Sequence, residues 1–267
     1  GHITQDETPQ GTQLGGTAAY AALTARALGL RVGVLTSCAA DTSLSPLDGI
    51  RVIVLPSEKT TTFANTATPE KREVILRHRA AAISFDHVPE LWQRTPIIHL
   101  GPVADEIPAL LPAGFSPSLL GLTPQGWLRT WGADGRVEPR KWLQAEASLN
   151  HAGAAIISLE DVDGDEEVIE ELALASRVLV VTEGAEGARL YWNHDLRRFH
   201  APQIDEVDST GAGDIFAAAF FIRLHTTRDP WESARFATQL AAYSVQRRGL
   251  KSIPNQEEIL TCQMEVL

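Results

Sequence analysis

Short runs of apolar, often β-branched residues alternate with helix-spaced stretches along nearly all of this 267-residue chain, and that alternation restricts its fold more than any other property. Residues 31–37, 50–56 and 96–101 are such runs in the first half. LLGLTPQ from Leu119, GAAIISLED from Gly153, RVLVVTEG from Arg177, ARLYW from Ala188 and RRFHA from Arg197 continue the series. Residues 16–29 carry apolar side chains at helical spacing and stop at Gly29, and a further helix is expected over residues 165–176. Buried strands spaced by helices imply a mostly parallel sheet covered on both faces, here in a single domain over residues 1–267. One part departs from the rhythm. Residues 60–66 and 72–80 alternate apolar and polar side chains around Thr68-Pro69-Glu70, the pattern of a hairpin with one wet face. Residues 51–80 are therefore read as a small β lid or flap, with an ordinary edge hairpin as the alternative. Arg77 and Arg79, two apart on that hairpin, share a face and read as a solvated basic edge. The opening GHIT reads as the end of a strand whose apolar first half is absent, which implies a truncated amino terminus.

Charge and cysteine content exclude several classes. The chain has 23 Lys and Arg against 34 Asp and Glu, a net charge of −11, which argues against a broad nucleic-acid or acidic-membrane surface. An anionic ligand has to be held locally. Cys38 and Cys262 are the two cysteines and show no CxxC spacing, which fits a reducing compartment and offers no thiolate metal site. No apolar run approaches the ~18 residues of a membrane span, so a cytoplasmic protein with no membrane partner is expected.

DSTGAGD, Asp208 to Asp214, followed by the apolar run IFAAAFFI, is the stretch richest in chemistry. It puts a small-residue turn at the start of a buried helix, where backbone N–H groups point outward and favour anions. Gly211 and Gly213 leave no side chain between amide and ligand, and with Ala212 they can form an anion cradle. Asp214 falls in the first helical turn, where the helix dipole favours its ionised form. A carboxylate beside an anion cradle is self-defeating for anion storage. It makes sense if the carboxylate takes a proton from a hydroxyl while the cradle stabilises charge on a transferring phosphoryl group. The plainer alternative is a glycine turn capping a helix. In VVTEGAEGARLYW, Thr182 ends a strand, and Gly184 and Gly187 bound a tight turn that lets backbone and hydroxyl approach phosphates. The sequence has no GxxxxGK[ST], no GxGxxG leading from strand to helix, no HExxH and no GxSxG, so Walker ATPase, dinucleotide dehydrogenase, zinc peptidase and serine hydrolase readings lack an anchor.

Four blocks together carry a family resemblance: Gly15-Gly16 opening the first helix, VTEGAEG at 181–187, DSTGAGD at 208–214 and SVQRRGLKSIP at 244–254. In this order they resemble the ribokinase-like (PfkB) carbohydrate kinases, and DSTGAGD departs from that family's D-T-x-G-A-G-D signature only by Ser209. The opening residues and VTEGAEGARLYW are similar in particular to the myo-inositol kinase-like branch. The resemblance implies a three-layer α/β/α sandwich with a small β lid, and ATP-dependent phosphorylation of a hydroxyl on a small sugar or cyclitol, myo-inositol being the first acceptor to test. A nucleoside kinase, or a catalytically weak sugar-binding or regulatory module, are the other readings. It also implies Asp214 as base, Gly211, Ala212 and Gly213 as anion hole, Thr182, Gly184 and Gly187 beside ATP, and Asp6, Gly15, Gly16 and Asn65 around the acceptor. The family's N-x-x-E block, which helps organise Mg²⁺, reads Ser158-Leu159-Glu160-Asp161 here, so Glu160 and Asp161 are the implied Mg²⁺ residues. Asp208 and Thr210, with carbonyls near Gly249 and Ser252, are implied for a monovalent cation such as K⁺. The small lid favours a monomer over lid-clasped homodimers.

Overall fold

The computed structural model of the chain describes residues 1–8, 11–67 and 72–263; the side chains of residues 65–67 and 72 lie outside the description. The elements are β1 (Thr4–Thr8), β2 (Gly11–Gly15), α1 (Thr17–Ala27), β3 (Gly33–Cys38), β4 (Arg51–Pro56), β5 (Thr61–Ala67), β6 (Arg72–His78), β7 (Ile97–Leu100), β8 (Leu119–Leu122), β9 (Arg129–Trp131) and β10 (Val137–Pro139). They continue with α2 (Ala145–His151), β11 (Ala154–Ser158), α3 (Glu166–Ala175), β12 (Val178–Thr182), β13 (Ala188–Trp192), β14 (Asp195–Phe199), α4 (Ala212–Thr227), α5 (Pro230–Ser244) and α6 (Gln256–Gln263).

The main sheet runs β14-β13-β12-β11-β8-β7. Its strands β7, β8, β11 and β12 are parallel, and β13 and β14 close one end antiparallel. Period-two alternation sorts side chains to two faces. Ile156 and Val180 point to one side, into a core with Phe216, Phe220 and Phe221 of α4 and Phe236 and Leu240 of α5. Ile157, Leu179 and Val181 point to the other, against Leu149 of α2 and Ile169 and Leu172 of α3. This is the expected three-layer α/β/α sandwich. Helix α4 is apolar on every side because it lies between the sheet and α5, and burial of each phenylalanine stabilises by about 2–3 kcal/mol. No helix among the described residues is long and apolar enough to cross a membrane.

β3 and β4 form a parallel pair of their own. A cavity of about 910 Å³ lies between β3 and β7, lined by Val34, Leu35, Ile97, Ile98, His99 and Phe221 among others. Burial there, and after it the nearby amino-terminal charge, pushes the His99 imidazole down to about 3, so the ring is neutral; its Nε2 is 2.8 Å from the Thr123 hydroxyl.

A second sheet, ordered β2-β1-β5-β6, stands apart from the first. The hairpin pattern of residues 60–80 is its β5–β6 half, in antiparallel register. Its other half comes from Thr4 to Gly15, with β1 parallel to β5, whereas residues 51–56 belong to β4. The first strand thus begins at Thr4, after GHI rather than within it. Phe63 and Leu76 of this sheet pack on Val103 and Ala104, with Val74, Trp131 and Val137 around them. Arg79 does not stand free as a basic edge: its Nε donates to the Ala104 carbonyl at 2.6 Å and its guanidinium lies over Trp131, while Arg77 faces Glu7 at 3.7 Å.

Candidate active site

Parallel strands bring their carboxyl ends to one edge of the sheet, and open α/β sheets bind ligands there. At this edge Thr182 closes β12, Ser158 closes β11, and β8 runs into a 3₁₀ turn, Pro124–Leu128. Helix α4 starts close by. Gly211 caps it in the left-handed region, φ 81°, and a Cβ there would lie 2.3 Å from the Tyr20 ring, so both backbone and space demand glycine. Beyond the helix's own backbone, no heavy atom lies within 4 Å of where a Cβ on Gly213 would sit, so there is open space beside this residue. The Ala212 amide already donates to the Ser209 carbonyl at 3.1 Å.

Asp214, partly buried in the first turn of α4, accepts a hydrogen bond from the Thr17 hydroxyl at 2.6 Å. Its carboxyl is pushed up to about 6, by burial above all; the Thr17 bond and Arg129 pull it down, and Asp6 and Asp161 push it further up. Helix-dipole reasoning points the other way. Desolvation outweighs the dipole here, yet a group near 6 is still mostly ionised at neutral pH. Asp6 on β1 is buried, accepts from the Thr4 hydroxyl at 3.1 Å, and comes so close to Gly15 that a Cβ there would lie 2.1 Å from its Oδ2. Gly16 caps α1, and its Cβ position is 2.8 Å from the His2 carbonyl. The Gly15-Gly16 pair thus lets β1 and the start of α1 close together, bringing Asp6 towards Asp214. Burial and then the charges of Asp6, Asp214 and Asp208 push the Tyr20 phenol upward. The side chain of Asn65 lies outside the described residues; its backbone is in β5, paired with Val74.

The turn after Thr182 is narrow because Gly187, φ 101°, passes so close to β14 that a Cβ would lie 2.0 Å from the Phe199 carbonyl. Gly184, φ 59°, has nothing within 4 Å of its Cβ position and faces open space. Glu183, just before Gly184, is tied down by Arg189 at 2.7 Å and Arg198 at 3.1 Å. Arg189 itself is buried and also holds Glu166 at 2.9 Å. That hydrogen bond holds the Glu166 carboxyl below its ordinary range.

Asp208 acts as a staple. Its Oδ1 accepts from the Thr210 amide at 3.0 Å and its Oδ2 from the Gly249 amide at 3.1 Å, joining the 208–214 turn to the segment after α5. Burial would raise its pKa, but the Thr210 and Gly249 hydrogen bonds hold it below the usual carboxylate range.

Glu160 and Asp161, adjacent in sequence, part company. Glu160 is exposed, whereas Asp161 is buried, with Oδ2 accepting from the Ser158 amide at 2.9 Å and Oδ1 from Gln125 at 3.2 Å. The described residues contain no group of three or more His, Cys, Asp and Glu placed to cage a metal. This donor set would suit only a Mg²⁺ that keeps most of its water and takes phosphate oxygens, and Asp161 is the buried carboxylate that could meet it through water. Sequence reasoning missed Thr17, Gln125 and Arg129. The last two lie in polar positions straight after the buried strand β8, a signal that was available from the strand-end rule alone.

Comparison with known proteins agrees with this geometry. The pfkB family carbohydrate kinase profile matches residues 145–257. That match lies in the carboxyl-terminal half of the chain. The ribokinase of Bacillus subtilis is 34% identical over 93 residues, 34% of this chain and 32% of that protein. Fructokinase-1 of Zea mays is 28% identical over 123 residues, 39% and 36% of the two chains. The chain spans less than half the length of the curated relatives it matches. Among solved structures, a pyrophosphate-dependent kinase in the ribokinase family, complexed with a pyrophosphate analog and myo-inositol, superposes with a TM-score of 0.80 over 98% of both chains at 20% identity. Ribokinase from Thermotoga maritima superposes with a TM-score of 0.70 over 98% of this chain and 96% of its own, also at 20% identity. The chain therefore has the fold of these ribokinase-family structures.

Proposed function

We propose that this chain transfers a phosphoryl group from ATP to a hydroxyl of a small sugar or cyclitol. The observation that carries the reading is the pairing of Asp214, hydrogen-bonded by Thr17 at 2.6 Å, with a left-handed glycine cap on the same helix turn. In this reading the acceptor lies between Asp214 and the second sheet, its hydroxyls met by Asp6 and by the backbone at Gly15 and Gly16, and Asn65 is a further acceptor residue. Thr17 orients the Asp214 carboxylate, which takes the acceptor proton. The amides of Gly211 and Gly213 receive the charge that develops on the transferred group; the Ala212 amide, bonded to Ser209, has a smaller share. Thr182, Gly184 and Gly187 border the donor. Asp161 would hold Mg²⁺ through water, and the ion would supply charge neutralisation at the donor phosphates; Asp208 and Thr210 would hold K⁺.

Pyrophosphate is the second donor to weigh, because solved structures covering 98% of this chain are of a pyrophosphate-dependent kinase. The test is a panel of pentoses, hexoses, inositols and nucleosides, myo-inositol first, with ATP and pyrophosphate run in parallel and ADP or orthophosphate release measured. Acceptor-dependent turnover with a sugar or cyclitol is the expected result. Ligand-induced thermal shift with no turnover from either donor would contradict it and make the chain a binding module; turnover confined to ribosides would make it a nucleoside kinase.

A further inference from the structure

Two helices meet beside Asp214, and they meet in matched steps of three residues. On α1, Thr17 and Tyr20 share a face, as residues three apart on a helix do. On α4, the cap Gly211 and the first-turn acid Asp214 are also three apart. Thr17 donates to the Asp214 carboxylate at 2.6 Å. The Tyr20 ring lies against Gly211, with Cε1, Cδ1 and Cζ at 2.3, 2.4 and 2.6 Å from where a Cβ there would sit. Helix α1 thus grips the start of α4 at two points, one polar and one aromatic.

The aromatic point is built to stay where it is. Tyr20 is 1% exposed, and after burial the carboxylates of Asp6, Asp214 and Asp208, from three separate segments, act on its phenol. The start of its helix is boxed in: a Cβ on Gly16 would lie 2.8 Å from the His2 carbonyl, and one on Gly101 would lie 2.4 Å from Thr17 Cγ2. On the far side of the 208–211 turn, Asp208 accepts from the Thr210 amide at 3.0 Å and from the Gly249 amide at 3.1 Å. That staple reaches Thr210, one residue short of the cap. Gly211 has no side chain to lock it and has the widest conformational freedom of any residue, so a rigid neighbour has to define its place. The ring is that neighbour.

We propose that Tyr20 is a positioning residue for phosphoryl transfer: its ring is the seat that fixes the Gly211 cap, and with it the spacing between the first amides of α4 and the Asp214 carboxylate. This rests on the phosphotransfer reading above. The ring touches no reacting atom and exchanges no proton. It acts through the backbone, where a shift of about 1 Å in the reacting groups costs on the order of 10²-fold in rate.

Tyr20→Phe, which keeps the ring, and Tyr20→Leu, which keeps apolar bulk without a flat face, are the variants to make. The Leu variant is expected to lose about 10²-fold in kcat with acceptor KM within about threefold, and the Phe variant to retain most of the wild-type kcat. Binding of inorganic pyrophosphate, measured by calorimetry on the unliganded proteins, needs no acceptor: it is expected to weaken about tenfold in Tyr20→Leu and to hold in Tyr20→Phe. The contact itself is read from denaturant midpoints, where the drop caused by Gly211→Ala is expected to shrink by about half in the Tyr20→Leu background. Near-normal kcat in Tyr20→Leu would overturn the proposal. So would a loss in Tyr20→Phe as large as in Tyr20→Leu, which would put the effect on the hydroxyl, or an equal Gly211→Ala drop in both backgrounds. If the wild-type protein turns over no acceptor, the phosphotransfer reading fails, and pyrophosphate binding with the midpoint comparison still decides whether Tyr20 seats the cap.

Discussion

Glu183 and Asp214 stand at two glycine-bounded turns, and their surroundings treat them in opposite ways. Glu183, beside the narrow turn of residues 182–187, is gripped by Arg189 at 2.7 Å and Arg198 at 3.1 Å. Asp214 is met by a hydroxyl, that of Thr17, and has two more carboxylates acting on it. Ion pairing fixes a loop in place. Desolvation among like charges keeps an acid close to the point of taking a proton. In the reading proposed above, the first turn holds and the second reacts, although both carry the same residue types.

The comparison breaks most sharply at Asp214. Asp214→Asn keeps the shape of the side chain and removes its basicity, and kcat is expected to fall by about 10²- to 10⁴-fold with acceptor KM little changed. Steady-state kinetics with the best acceptor check this. Next in size is Gly211→Ala, which forces a side chain into a left-handed backbone and into the Tyr20 ring. It is expected to cost at least about 2 kcal/mol of stability, read as a lowered denaturant midpoint, and to lose most activity because the helix start moves. On the holding side, Arg189→Met removes the buried cation that ties Glu183 to Glu166. About 3 kcal/mol of destabilisation is expected, with donor KM raised roughly tenfold, about 1.4 kcal/mol of lost binding, and acceptor KM unchanged. An equal rise in both KM values would erase the distinction drawn between the two turns.

Much of this molecule is legible in its sequence. Alternate residues of β11 and β12 divide between two cores because apolar periodicity and strand geometry share one period, and the sandwich follows. Asp214 and Gly211 are legible because their roles are local: a glycine cap and a first-turn acid lie four residues apart or less. Thr17 is not, since it meets Asp214 across 197 residues of chain, and a hydroxyl in a helix start has no local mark of such a partner. Glu160 and Asp161 show the same limit at short range. The two acids are neighbours, but the 3₁₀ turn after β11 sends one to solvent and folds the other back onto the Ser158 amide. Burial also overrides the sequence argument on Asp214 itself, because a dipole effect read from helix position takes no account of two distant carboxylates packed beside it.

The central claim is that Asp214 is the base and that its surroundings raise it. The most direct measurement is the pH dependence of kcat/KM for the acceptor, wild type against Asp214→Asn. Because Asp214 must be ionised to accept a proton and is pushed up to about 6, the wild-type value should be level above neutrality and fall about tenfold per unit as pH drops below 6. That limb should be missing from the small residual rate of the Asn variant. A wild-type profile flat down to pH 5, or the same acidic limb in both proteins, would contradict the account.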